Sequence, residues 1–202
     1  MILANSTLKT LRTVTTEAEY DQAEELAQTA IANCNKLGSQ SKFQTNELDN
    51  KILGYLGEIK FAKAMKDRDI KGHAKLDASG KSDEGDDWVS EHGIKVDVKT
   101  RKWSFAPKPW HYWPIIKSNA DHHPPDVYVL CTVFKDYSAS WIVGGLRADH
   151  FKKIAEFKKQ GDSLGSCNAR RDAYAIKYHQ ITWSFDELCE KLKKLRRYDF
   201  EN

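Results

Sequence analysis

Long apolar runs are missing from this sequence. Nothing in its 202 residues approaches the roughly 18 to 20 consecutive apolar residues that a membrane helix needs. The opening MILANSTLKTLR has no basic region followed by a long apolar stretch, so no secretory signal is expected. Cysteine is sparse. Cys34, Cys131, Cys167 and Cys189 lie far apart and form no C-x-x-C pair, which argues against a zinc site and makes a reducing cytoplasm the expected location. No Walker-type glycine-rich run, internal repeat or low-complexity segment is present. The net charge, +3, is too small to name a partner. Proline is scarce as well: there are five, and all fall between 107 and 125. What remains is 40% hydrophobic and 30% charged, the composition of one globular domain spanning 1–202.

Charge is distributed unevenly. Residues 83–91, DEGDDWVSE, hold five acids and no base; residues 95–117 hold six Lys or Arg and one acid, Asp97. Two solvated loops of opposite sign account for this, as does a metal-dependent phosphodiesterase with an acidic turn beside a basic aromatic stretch.

Periodicity predicts a helix over 17–37, opened by the capping box Thr16/Glu19 and stopped at Gly38. After a polar linker, a second helix is expected over 46–66, with Leu48, Ile52, Tyr55, Ile59, Ala62 and Met65 on one stripe. Residues 67–85 read as a loop. DWVSE and IKVDVKT read as two strands around a His92-Gly93 turn. Residues 101–125 read as irregular. Strands are expected over 126–134 (central, apolar on both faces), 140–145 and 172–181, with a helix over 148–160. A last helix starts at the Ser184/Glu187 capping box. The order α, α, β, β, β, β, α, β, α predicts an α/β fold, a mixed sheet flanked by helices.

Three places carry chemistry. In the second helix, Glu58 has Gly54, Tyr55, Phe61 and Ala62 as its i±3 and i±4 neighbours, so its carboxylate falls on or beside the buried stripe. Such a group needs a partner, either a basic residue of the sheet or a bound cation. Asp86 and Asp87 stand directly before a strand. Asp97 lies ten residues past Asp87, across the hairpin, and Lys99 follows it on the same face, opposite to Val96 and Val98. An ordinary half-buried strand explains the alternation taken alone. With the other acids it also forms an oxygen-rich pocket suited to Mg²⁺ or Mn²⁺ rather than zinc.

G-x-x-G-E on a helix, then D-(x)9-D-x-K across a hairpin, resembles the PD-(D/E)XK nuclease superfamily, over about residues 46–195. The resemblance implies a restriction-endonuclease-like core, α-β-β-β-α-β, behind an N-terminal helical extension (1–45). It implies a Mg²⁺-dependent deoxyribonuclease, an endonuclease before an exonuclease, of restriction, phage or mobile-element, or junction-resolving type. Residue by residue it makes Asp87 and Asp97 metal ligands, with the Val98 carbonyl as a further one. It makes Lys99 the residue that assists the attacking water or the transition state, and Glu58 the helix acid that orients the lysine or completes metal binding. Asp86, not proline, precedes Asp87, which leaves Asp86 or Asp83 as rivals for the first acid. A protein of the same fold that binds nucleic acid or another partner without catalysis is the alternative.

DNA is the expected partner. Arg101, Lys102 and Lys108, with Trp103 among the interleaved aromatics, are the expected nucleic-acid contacts, although several of the tryptophans could equally cover the sheet as core. Cutting both strands of a duplex would call for a homodimer, with the 17–37 helix as a candidate interface. No membrane association is expected.

Overall fold

A computed structural model describes residues 10–37, 47–79, 86–122, 124–165 and 167–200. The expected linker at 38–45, the Gly38 stop and Asp83 lie outside them. The described elements run β1 (Leu11–Val14), α1 (Glu17–Lys36), α2 (Glu47–Asp67), β2 (Gly72–Ala74), β3 (Trp88–Ser90), β4 (Lys95–Trp103), β5 (Tyr112–Ile116), α3 (Lys117–His122), β6 (Val127–Phe134), β7 (Ala139–Arg147), α4 (Ala148–Ile154), β8 (Glu156–Lys158), β9 (Ala173–Lys177), β10 (Trp183–Ser184) and α5 (Phe185–Lys194). The architecture is α/β. A mixed sheet in the order β1-β7-β6-β4-β3-β2, with β10 also on β7, is flanked by helices and accompanied by a three-stranded sheet β5-β9-β8.

The centre of the large sheet follows from composition. In β6 every residue but the last is buried, as a strand covered on both faces requires. It pairs in parallel with β4, Asp97 opposite Tyr128 and Lys99 opposite Leu130, and antiparallel with β7. One face of this sheet packs Val96, Val98, Val127 and Val129 against Phe61 and Met65 of α2 and Leu188 and Leu192 of α5. The other face packs Tyr128 and Leu130 under Trp113, Ile115 and Ile176 of the small sheet and Phe151 of α4. Both capping boxes form as expected, at Thr16/Glu19 and Ser184/Glu187.

Several expectations are corrected. The second helix does not carry one stripe. Phe61, Ala64 and Met65 meet the sheet, while Ile52, Tyr55, Leu56 and Ile59 meet Ala23, Ala27 and Ala30 of α1. Leu48 is exposed. A helix sandwiched between a sheet and another helix is apolar on two sides, which blurs a single-stripe reading. Within the expected N-terminal extension, residues 10–37 carry β1, which pairs with β7, and α1, which lies on α2. Residues 67–85 contain β2, too short and exposed to show any period. Residues 101–125 are irregular only in part: β4 runs on to Trp103, a loop spans 104–111, and β5 and α3 follow. Pro114 sits inside β5, opposite Ala175. The sheet tolerates it because β5 is an edge strand, where a missing N–H breaks no ladder. The helix expected over 148–160 stops at Ile154, and the chain then pairs with β9 as β8. Tertiary pairing there overrides a helical composition.

In β7 the register against β6 slips between Ile142 and Gly144. Gly144 has φ 144°, and a Cβ on it would stand 2.1 Å from the carbonyl oxygen of Trp183. Only glycine lets β10 reach β7 there.

Candidate active site

The site is assembled by a helix lying unusually close to a strand. A Cβ on Gly57 would stand 1.9 Å from Thr100 Oγ1 and 3.0 Å from its Cβ. Without a side chain at 57, α2 rests directly on β4. The next residue, Glu58, is half-buried, and its charge acts on Asp87, directly before β3.

There Asp87 is fixed to β4 at two points. Its N–H donates to the Val96 carbonyl at 2.8 Å, and its Oδ2 accepts from the Val98 N–H at 2.7 Å. Asp97 and Lys99 flank that N–H donor on β4 and project from the other face of the strand. Asp97 is 4% exposed, and Lys99 Nζ lies 2.7 Å from its Oδ2. Burial pushes the Asp87 carboxyl well above the usual carboxylate range, and the charges of Glu58 and Asp97 push it further. The Lys99 ammonium and the Val98 N–H oppose them. Glu58, Asp87, Asp97 and Lys99 therefore share one electrostatic neighbourhood, built from α2, β3 and β4.

The possible metal ligands in this set, the three carboxylates, are all oxygen donors, which fits Mg²⁺ or Mn²⁺, and mutual crowding of carboxylates is what a divalent cation relieves. Among the described residues no three His, Cys, Asp or Glu side chains already stand at metal-holding distances. One Asp97 oxygen is turned to Lys99 and one Asp87 oxygen to a backbone N–H. Along a strand a residue's N–H and C=O point to the same neighbour. The Val98 carbonyl is thus on the Asp87 side of β4, where the resemblance puts a ligand.

Of the rival first acids, Asp86 is buried and bound to Lys75, with Nζ 2.9 Å from its carboxylate oxygens.

The structure divides the expected DNA contacts. Arg101 shares the face of Asp97 and Lys99; its guanidinium donates to the Tyr112 carbonyl and to Cys167 Sγ, at 3.6 Å, and lies 5.0 Å from the Trp103 ring centre. Lys102 points from the opposite face. It is held by Asp49 of α2 at 2.6 Å and by the Tyr137 hydroxyl at 3.0 Å, so its position beside the motif does not make it part of the site. Trp103 is buried and stacked on His111, with ring centres 4.3 Å apart and an 11° tilt. It is a platform, not a surface. Trp113 is likewise core. Lys108 is exposed, its ammonium 5.5 Å from the ring centres of both Phe105 and Trp110.

One neighbour escaped the sequence reading. Tyr128, opposite Asp97 in the ladder, is buried, and burial together with the Asp97 charge holds its hydroxyl far from ionisation. Its hydroxyl and the Thr132 hydroxyl have no hydrogen-bond partner among the described residues. Only a lone phenol in a central strand whose other residues, Thr132 apart, are apolar could have signalled it.

No protein-family model matches the chain, and no curated protein matches it.

Proposed function

We propose that the protein is a metal-dependent nuclease that hydrolyses phosphodiester bonds in DNA, on a restriction-endonuclease-like core formed by α2, β3, β4 and the strands beyond them. One observation carries the reading: the Asp87 carboxylate is bonded to the backbone between Asp97 and Lys99, with Glu58 near enough to shift its ionisation. Each of the four residues is ordinary alone. Three separate elements converge to crowd three acids and one lysine.

In this reading Asp87, Asp97 and the Val98 carbonyl hold Mg²⁺ or Mn²⁺, with Glu58 behind them. When bound, the ion supplies positive charge against the phosphate and acidifies a water. Lys99 contributes a donor and a charge at the reacting phosphate, where either orients the attacking water or stabilises negative charge in the transition state. Asp97, 2.7 Å away, aims the ammonium. Glu58 sets the field in which Asp87 ionises. Arg101, one step further along the same face, meets an adjoining phosphate.

The test is incubation with supercoiled, linear and single-stranded DNA in Mg²⁺, Mn²⁺ or EDTA, with Lys99→Ala alongside. Metal-dependent cutting that the variant loses is the expected result. Cutting that survives Lys99→Ala, or DNA binding without any cutting by the wild type, would overturn the reading; the latter would favour a binding protein of the same fold.

A further inference from the structure

Beyond the carboxylates, β4 runs into a segment of unusual composition. From Val98 to Ala120 there is no acid, and Lys99, Arg101, Lys102, Lys108 and Lys117 all fall within it. Its rings are sorted into two sets. Trp103, His111 and Trp113 are packed: Trp103 stacks on His111, and Tyr178, from beyond β9, lies 6.0 Å from His111 and 5.4 Å from Trp113. Phe105 and Trp110 remain outside, 44% and 62% exposed. Phe105 is 5.3 Å from both Trp103 and His111, and Trp110 is 6.2 Å from His111, so the exposed rings are mounted on the packed ones.

The mounting is stiff. The Tyr178 N–H donates to the His111 carbonyl at 3.0 Å, the His179 N–H donates to the Pro109 carbonyl at 2.9 Å, and the Lys108 N–H donates to His111 Nδ1 at 3.2 Å. Burial, then the charges of Lys108 and Arg101, lowers the His111 pKa, which favours the neutral ring that accepts this last bond. Burying two large exposed rings would be the ordinary economy of a fold. Here a hydrogen-bonded loop holds them out, beside a cation.

We propose that Phe105 and Trp110 form a stacking surface for the unpaired bases of single-stranded DNA, so that the substrate carries a single-stranded segment next to the bond that is cut. The proposal rests on the nuclease reading for the position of the cut, though not for binding itself. Lys99 and Trp103 share one face of β4 four residues apart, about 13 Å along an extended strand. That is the length of roughly four stacked nucleotides at about 3.4 Å each. Arg101 lies between them for a phosphate. Lys108 meets the next phosphate, and as its ammonium moves onto that anion it uncovers the faces of Phe105 and Trp110 for bases. Base stacking on exposed rings is indifferent to sequence and unavailable to bases already paired in a duplex.

Binding is measured by fluorescence anisotropy in EDTA at fixed salt, with a labelled single strand, a duplex with a single-stranded tail, and a blunt duplex of equal length. The wild type is expected to bind the single strand and the tailed duplex about tenfold more tightly than the blunt duplex. Trp110→Ala and Phe105→Ala are each expected to erase most of that preference, and Trp110→Phe to keep most of it. Phe157→Ala, which removes a comparably exposed ring on β8 outside the acid-free run, is expected to leave it intact. Equal affinity for blunt and tailed DNA, or a preference that survives both alanine variants, would overturn the proposal. Cleavage of the same substrates in Mg²⁺ keeps the two readings apart. Tail-dependent binding without cleavage leaves the stacking surface and removes the nuclease; cleavage without tail preference does the reverse.

Discussion

Glu19 and Asp87 are both carboxylates drawn into the body of the protein, and their surroundings drive them in opposite directions. Burial acts to raise the Glu19 pKa. Lys60 at 2.5 Å, the Thr16 N–H at 2.8 Å and Lys63 at 3.0 Å outweigh it and bring the pKa to about 2. Lys60 is itself buried and also donates to the Val14 carbonyl at 2.6 Å, so one ion pair joins β1, α1 and α2. At Asp87 burial also raises the pKa, and the neighbouring charges of Glu58 and Asp97 add to it. The first arrangement satisfies a charge and serves the fold. The second sets three acids against one lysine and one backbone N–H, an imbalance that the proposed metal would offset.

The sharpest way to break this contrast is to remove one member from each cluster. Asp97→Asn is expected to lower DNA cleavage at least about a hundredfold with little change in stability. Lys60→Ala is expected to cost about 3 kcal/mol, read from the denaturant midpoint, because Glu19 loses its buried counter-ion. The molecules that remain folded should still cut. If Asp97→Asn instead destabilised the protein and left cutting intact, the roles assigned to the two clusters would be reversed.

Acid pH separates them next. Glu19 has a folded pKa of about 2, below its unfolded value of 4.5, so its contribution is present above pH 4.5 and is lost as pH falls toward 2. That contribution is worth about 3 kcal/mol. Glu19→Gln should flatten the acid limb of a stability–pH curve over this window. Asp87 has a raised pKa, so the opposite holds: its protonated form is the stabilising one, and stability is lost as pH rises through the folded value. In EDTA, Asp87→Asn should therefore melt higher than the wild type at neutral pH.

A smaller shift sharpens the assignment of the metal. Saturating Mg²⁺ is expected to raise the melting temperature of the wild type by a few degrees and that of Asp87→Asn hardly at all. Equal shifts would place the ion elsewhere. The smallest effect lies in the salt dependence of DNA binding. Arg101→Ala should reduce the slope of log K against log salt by about one, and Lys102→Ala, on the opposite face and paired with Asp49, should leave it unchanged. An altered slope for Lys102→Ala would show that the strand's two faces are not divided as described.

Much of this was legible in the sequence where a local rule decides. Both capping boxes, the His92-Gly93 turn and β6, buried except at Phe134, follow from residues adjacent in the chain. So does the face shared by Asp97, Lys99 and Arg101, since alternation along a strand needs no partner. The parts that were not legible depend on distant residues. Pro114 argues against a strand until β5 is known to be an edge. Residues 156–158 look helical until β9 is beside them. Trp103 and Lys102 are candidates for DNA by proximity to the motif, and only the packing of His111 and the reach of Asp49 remove them. In the same way the use of Gly57 within its helix becomes clear only against Thr100.

The outer edge of β7 has a consequence of another kind. Two segments from far apart in the chain share it: β1 covers Ala139–Ile142, and β10 covers Gly144 and Gly145. Between them they occupy donors and acceptors that would otherwise stand in a row, a ready template for strand addition by another molecule. Proteolytic trimming through Leu11–Val14 would unmask half of that row and release the Val14 carbonyl from Lys60 in the same stroke. The first harm from such a nick would be self-association of otherwise folded molecules, well before any loss of the carboxylate cluster on the far side of α2.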